Sequence, residues 1–315
     1  SDAKPFYAMK LIKDNNLKGK MFNYWTEGGF IAWGQQPDPK TGRTPLQLFM
    51  DGRAQAAYDR RAFDLWSNIM AGGLPGSLGQ QIIQAATMRA RVIGKPVEEI
   101  LTVDDYIKIG QSIDHALKEQ NVWVVLMPFG EFESNFVKGL QRNPDWLIVF
   151  LDNTQRLFVD ITTAQGRRLY DGIFDGTTLY PDDYQRNLIR AHSWLLYRPG
   201  LAEKTAGLNF AIEAFNLNPS PAPMLEIILI AASFAELRPD VDKFCEDYID
   251  KFAKNKDNWA NQNGYRHRVE AARLACFHLE NVARMQNNTK LAEFYADAGR
   301  RCRYERELLG REKRW

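Results

Sequence analysis

The chain has 315 residues, 45% of them hydrophobic, and its 41 basic and 39 acidic residues leave a net charge of +2. That length suits one large or two ordinary domains with a filled core. The charges are interspersed apart from a basic tail, Arg300 to Arg314, and such a balance provides no broad field for nucleic acid or an acidic membrane surface. No run reaches the ~20 apolar residues of a membrane helix, and Ser1 to Lys10 lacks the apolar core of a signal peptide.

Residues 1–17 read as an amphipathic lead-in, with Phe6, Met9, Leu11 and Ile12 among lysines. Met21 to Tyr24 and Leu46 to Met50 are short apolar segments that each run into polar and glycine residues, the pattern of buried strands feeding functional loops. Thr26 is placed to cap a helix over 28–33. Gly28 and Gly29 permit close backbone approach, either for a ligand-facing turn or for a tightly packed corner. A loop over 35–45 carries three prolines and one glycine. Tyr58 to Met70 repeats apolar residues at helical spacing, and Gly72 to Gly79 breaks the helix without the Gly-Lys-Ser/Thr ending of a phosphate loop.

Gln80 to Ile93 and Val103 to Glu119 read as helices, the second capped by Thr102 with Asp104 and Asp105 at its positive end. Val122 to Met127 is apolar on both faces, as a central strand is. A helix over 131–143 follows, then a strand over 146–151 ending at Asp152, and Arg156 to Ile161 returns as its hairpin partner. The five strand segments are expected to follow one another in the sheet in chain order.

Beyond Tyr170 the strand pattern ends, and helices are expected over 181–197, 202–217, 224–237, 241–253, 265–285 and 291–309. Ala214, Leu217 and Pro219 have the relative spacing of the second helix of a tetratricopeptide repeat, which the array resembles, although Gly207 and Ala211 stand where larger residues are usual. The fold class is thus α/β followed by all-α. A mostly parallel open sheet with flanking helices and an edge hairpin is expected over 1–175, and a tetratricopeptide-like array over 176–315.

Cys245, Cys276 and Cys302 have no Cys-x-x-Cys spacing and read as small buried residues, with one bridge at most. Asp240-Val241-Asp242 has the form of a sugar-transferase metal motif but sits at a helix start, and His267 with Glu270 lacks a third ligand. Neither makes a metal site, and no cofactor is expected.

Phe22-Asn23-Tyr24-Trp25-Thr26-Glu27-Gly28-Gly29-Phe30-Ile31-Ala32-Trp33, followed by Leu48-Phe49-Met50-Asp51-Gly52-Arg53, resembles the soluble tail of multi-spanning bacterial glycosyltransferases of the dolichyl-phosphate-mannose mannosyltransferase type. It is similar, more remotely, to oligosaccharyltransferases, with Thr26-Glu27 where that family has Asp-Tyr. The resemblance covers roughly the first half of the chain. It implies the extracytoplasmic portion of a membrane glycosyltransferase-like protein, tethered by a membrane-spanning region, capping a membrane active site and not catalytically competent alone.

The layout places Glu27, Asp51 and Asp152 just after strands, where open α/β sheets bind ligands. If those strands are neighbours, the three carboxylates share a rim with Arg53, Tyr24 and Trp25, a set suited to a sugar or lipid-linked sugar through stacking and charge-assisted hydrogen bonds. The other reading is structural, with Asp51 paired to Arg53 and Trp25 in the core. A second function class is a non-catalytic interaction module in which the helical array holds a peptide or protein partner. No nucleic-acid partner is expected.

Overall fold

A computed structural model of the chain describes residues 4–50, 60–197, 200–260 and 262–311. It divides into two compact units, 1–181 and 182–315.

The first unit is built on a five-stranded sheet of β1 (Gly19–Asn23), β2 (Leu46–Leu48), β3 (Val122–Pro128), β4 (Trp146–Leu151) and β5 (Gln155–Asp160). Their spatial order is β2-β1-β3-β5-β4, not the chain order that the sequence suggests. β1 pairs in parallel with β2 and β3, whereas β5 is antiparallel to both β3 and β4. Four strands therefore run the same way and β5 alone is reversed. The sheet is mixed, and the expected hairpin forms one edge of it, with β4 outermost and the returning strand β5 inside. The reason is local: the tight turn after Asp152 allows only an antiparallel return, and β5 is buried along nearly its whole length.

Around the sheet lie α1 (Phe6–Asp14), α2 (Gly28–Gly34), α3 (Arg60–Met70), α4 (Leu78–Ile93), α5 (Val103–Glu119), α6 (Asn135–Arg142) and α7 (Ala164–Asp175). Every residue of β4 is buried, and β3 is buried up to Pro128, so both faces of the sheet are covered. On one face the Phe22 ring stacks on Trp66 of α3 and Phe136 of α6, with centroids 6.3 and 5.3 Å away. Helices α1 and α7 pack against β4 and β5 to cover the other. Thr102 caps α5 in a reciprocal capping box with Asp105, and Ser77, Ser134 and Thr163 cap α4, α6 and α7.

The starts of α2 and α6 differ from the sequence reading. Thr26 does not cap α2: it lies within a 3-10 turn over Trp25–Glu27, and the cap position falls to Glu27 with no side-chain cap bond. Helix α6 begins at Asn135 because a 3-10 turn, Phe129–Glu131, comes between it and β3. Helix α7 is absent from the sequence reading because Gly166 and Gly172 weaken its pattern. Both glycines are demanded by packing, since a Cβ would sit 2.0 Å from the Asp160 carbonyl oxygen at one and 2.3 Å from Thr178 Oγ1 at the other.

The described residues of the second unit form six helices, α8 (Asp183–Tyr197), α9 (Leu201–Leu217), α10 (Pro221–Ser233), α11 (Arg238–Trp259), α12 (Tyr265–Met285) and α13 (Thr289–Arg311). A shared core includes Leu208, Phe215, Ile227, Tyr248, Val269 and Leu279. Two histidine–carboxylate contacts join helices across it: His192 Nδ1 meets Glu226 at 2.8 Å and His278 Nε2 meets Asp242 at 2.7 Å. Asp242 is thus an interhelical partner.

The approach of α5 to α6 is set by glycine. A Cβ on Gly110 of α5 would fall 2.2 Å from the Gly139 carbonyl oxygen of α6, whereas one on exposed Gly29 meets nothing within 4 Å. Gly110→Ala should therefore destabilise the chain by about 3 kcal/mol through overpacking. Gly29→Ala should be neutral or stabilising by up to about 1 kcal/mol. Urea unfolding of the two variants tests this, and equal effects would contradict the packing described.

Candidate functional site at the carboxyl edge of the sheet

Because β1 to β4 share a direction, their carboxyl ends meet at one edge, where β5 begins. Four of the six residues singled out from sequence lie there: Tyr24 and Trp25 after β1, Glu27 at the start of α2, and Asp152 after β4. Asp51 and Arg53 lie outside the described residues.

The base of this edge is polar and dry. Asn23 is fully buried, and its amide donates to the Met50 carbonyl at 2.7 Å while its Oδ1 accepts from Phe49 N–H at 3.2 Å. The Trp66 indole donates to the Asn23 carbonyl at 3.1 Å. A single amide thus ties the end of β1 to the chain leaving β2 and brings residue 50 to the rim.

Beside it, Gln155 Nε2 donates to Glu27 Oε1 at 2.8 Å across 128 residues of sequence. Glu27 is 7% exposed and Gln155 1%. The other two oxygens, Glu27 Oε2 and Gln155 Oε1, are buried with no hydrogen-bond partner. Burial pushes the Glu27 carboxyl above its ordinary range. The Gln155 bond and the Lys4 ammonium oppose that shift, and the Asp152 charge adds to it.

Asp152 has a turn-forming role. Its Oδ1 accepts from Thr154 N–H at 2.6 Å, Thr154 Oγ1 at 2.8 Å and Gln155 N–H at 2.7 Å, closing the β4–β5 turn. The sequence places this carboxylate correctly at the rim, and it also shapes the strand that carries Gln155.

Above the polar base stands an aromatic layer. Tyr24 and Trp25 are half-buried, and the Tyr24 ring meets Trp66 edge-on with centroids 5.8 Å apart. Partial burial raises the Tyr24 phenol, as does the nearby carboxylate of Glu131, while Trp25 opposes this. Arg156 lies 3.9 Å over the Phe132 ring. Trp33 and Phe129 are largely exposed. Trp25 is therefore not a core residue.

Asn23, Gln155, Glu131 and Arg156 are the residues that sequence reasoning missed. Asn23 carried a signal, since a lone amide at the end of an apolar strand has to find partners once buried. Gln155 carried none, because a polar residue opening a strand after a turn is ordinary. Elsewhere, Glu270 is held by Arg273 at 2.7 Å and by Arg306 at 3.0 Å. No group of three or more His, Cys, Asp or Glu among the described residues is arranged to hold a metal ion.

Comparison of the chain with protein-family models, with curated proteins and with solved structures finds no match in any of the three.

The Glu27 carboxyl has a raised folded-state pKa, so its protonated form contributes stability that is complete below the ordinary glutamate range. That stability is lost as pH rises through the folded value. Glu27→Gln keeps shape and hydrogen-bonding capacity without the titration. Relative to wild type, its urea midpoint should rise as pH increases above the ordinary glutamate value of about 4.3 and level off above the folded value. A difference that stays constant with pH would refute a raised pKa.

Proposed function

We propose that this chain is the extracytoplasmic, non-membrane portion of a membrane glycosyltransferase-like protein, and that the carboxyl edge of its sheet binds a sugar-bearing ligand. The observation that carries the reading is the layering at that edge. Half-buried Tyr24 and Trp25 follow the end of β1 beside Glu27, whose buried carboxyl pairs with Gln155, and the Glu131 carboxylate lies near the Tyr24 hydroxyl. Aromatic faces bind the apolar faces of a sugar ring, and adjacent carboxylates accept from its hydroxyls. The motif resemblance supports the class of parent protein. No helix among the described residues is long and apolar enough to cross a membrane, and the reading assigns the spanning part, with the reacting groups, to the rest of the parent chain. The chain then acts by capping and acceptor binding and does not catalyse transfer alone.

A second reading is favoured by one feature of the helical unit. A cavity of about 590 Å³ is lined by Phe215, Phe244, Tyr248 and Trp259, with Lys251 and Arg268 at its edge. Such a concave aromatic site suits a peptide segment, and it fits a tetratricopeptide-like interaction module whose α/β unit is an accessory. In this reading the rim need not bind anything.

Tryptophan fluorescence titration of the purified chain with a polyprenyl-phosphate-linked sugar in detergent separates the two. Saturable binding that falls at least about tenfold in Trp25→Ala, the loss of one stacked aromatic anchor, is the expected result. Binding unaffected by Trp25→Ala would remove the rim from the account. Turnover of a radiolabelled nucleotide-sugar by the purified chain would overturn the non-catalytic assignment.

A further inference from the structure

The cavity of about 590 Å³ in the second unit joins an aromatic wall to unneutralised positive charge. Phe215, buried near the end of α9, meets Phe244 and Tyr248 of α11 edge-on, with centroids 5.3 and 4.7 Å away. Trp259, which ends α11, adds a half-buried ring. Pockets of roughly 300–1,000 Å³ are those that hold small ligands.

Two cations line the same space. Lys251 is exposed on α11, one turn beyond Tyr248, and Arg268 is half-buried near the start of α12. The Arg268 guanidinium lies 4.7 Å over the Trp259 ring, and its Nη1 donates to Gln262 Oε1 at 3.1 Å. Its backbone carbonyl accepts from the Tyr248 hydroxyl at 3.1 Å, which ties this turn of α12 to α11. The fork is thus held in place, with most of its five N–H donors unused. Its charge meets no carboxylate among the described residues. Arg273, Arg284 and Arg306 of the same unit are all in ion pairs. Asp247, the single acid among the described lining residues, pairs with neither Arg268 nor Lys251, and the first turn of α12 contains no acidic residue.

We propose that this cavity binds a small aromatic carboxylate, its ring against the aromatic wall and its carboxylate on Arg268 and Lys251. Ring faces and edges supply the apolar contact, and a planar guanidinium matches a carboxylate with two parallel hydrogen bonds. Stacking on Trp259 and the bond to Gln262 order the fork beforehand, so little freedom is lost when the anion arrives. This assignment rests on the cavity of the second reading being a binding site and differs from that reading in the occupant. An extended peptide brings a backbone donor and acceptor with every residue, and the lining offers few side-chain amides to meet them, Asn216 and Gln262, the latter already engaged by Arg268.

The test uses the full chain and two indoles of opposite charge, indole-3-acetate and tryptamine, titrated by calorimetry. Indole-3-acetate should bind with a Kd below about 1 mM, at least about tenfold more tightly than tryptamine, and added salt should weaken it. Arg268→Gln should weaken binding of the acid by about tenfold or more, the loss of a hydrogen-bonded charge, and Phe244→Ala should weaken it as well, both with wild-type circular dichroism. Absence of binding by either indole and by the end-blocked peptide acetyl-Gly-Phe-Glu-Gly-amide would overturn the proposal and, with it, the cavity as a binding site. Three outcomes would overturn the proposal alone. They are binding of the peptide without binding of the acid, equal binding of the two indoles, and binding of indole-3-acetate that is unchanged in Arg268→Gln. The two indoles on the wild-type chain decide the matter even if a variant fails to fold.

Discussion

A carboxylate taken out of water and given one neutral amide donor is the constraint around which the first unit is arranged. Glu27 closes the 3-10 turn after β1 and Gln155 opens β5, so their hydrogen bond holds the beginning of the unit against its last strand. Burying an ionised carboxyl without a paired cation is costly, and the usual response is to keep the proton. The surrounding geometry follows from that choice. Asp152 closes the turn that delivers Gln155, Asn23 secures the exit of β2, and the rings of Tyr24 and Trp66 meet edge-on at the same edge.

The reversed strand gives this corner its character. In an all-parallel sheet the edge beyond the carboxyl ends is formed by loops alone. Here β5 enters between β3 and β4 with its first residue at that edge, so a regular strand, rather than a flexible loop, presents Gln155 and Arg156. Groups positioned on strands are held more firmly than groups on loops. The aromatic residues that face outward at this edge therefore rest on a rigid support, which is what a binding surface requires and what a merely solvated corner does not.

Much of this architecture is legible in the sequence, and the failures have physical causes. Continuous apolar runs placed β3 and β4, and cap chemistry placed the start of α5, because burial and capping act on neighbouring residues. Sheet order could not be read that way: β5 pairs with β3 through contacts such as Val124 with Val159, and no local pattern encodes such a pairing. Glycine misled in both directions. Gly166 and Gly172 weaken the pattern of α7 yet exist to let it pack, while Gly29, read as a close-approach residue, faces open space. At the rim, Tyr24, Trp25, Glu27 and Asp152 were found by their position after strands. The residue that pairs with Glu27 was not, since a glutamine 128 positions away announces itself only in three dimensions. In the helical unit the cysteines were read as small buried residues, and all three are buried.

The account rests most heavily on Glu27 and Gln155 acting as one buried unit, and a double-mutant cycle measures that directly. Glu27→Ala, Gln155→Ala and the double variant are unfolded in urea at a pH near 5. The account predicts that the two single losses overlap, with a coupling energy of about 1 kcal/mol or more, as for groups that share a buried hydrogen bond. Strictly additive losses would show that the two side chains are stabilised by separate surroundings, and would contradict the central place given to their contact.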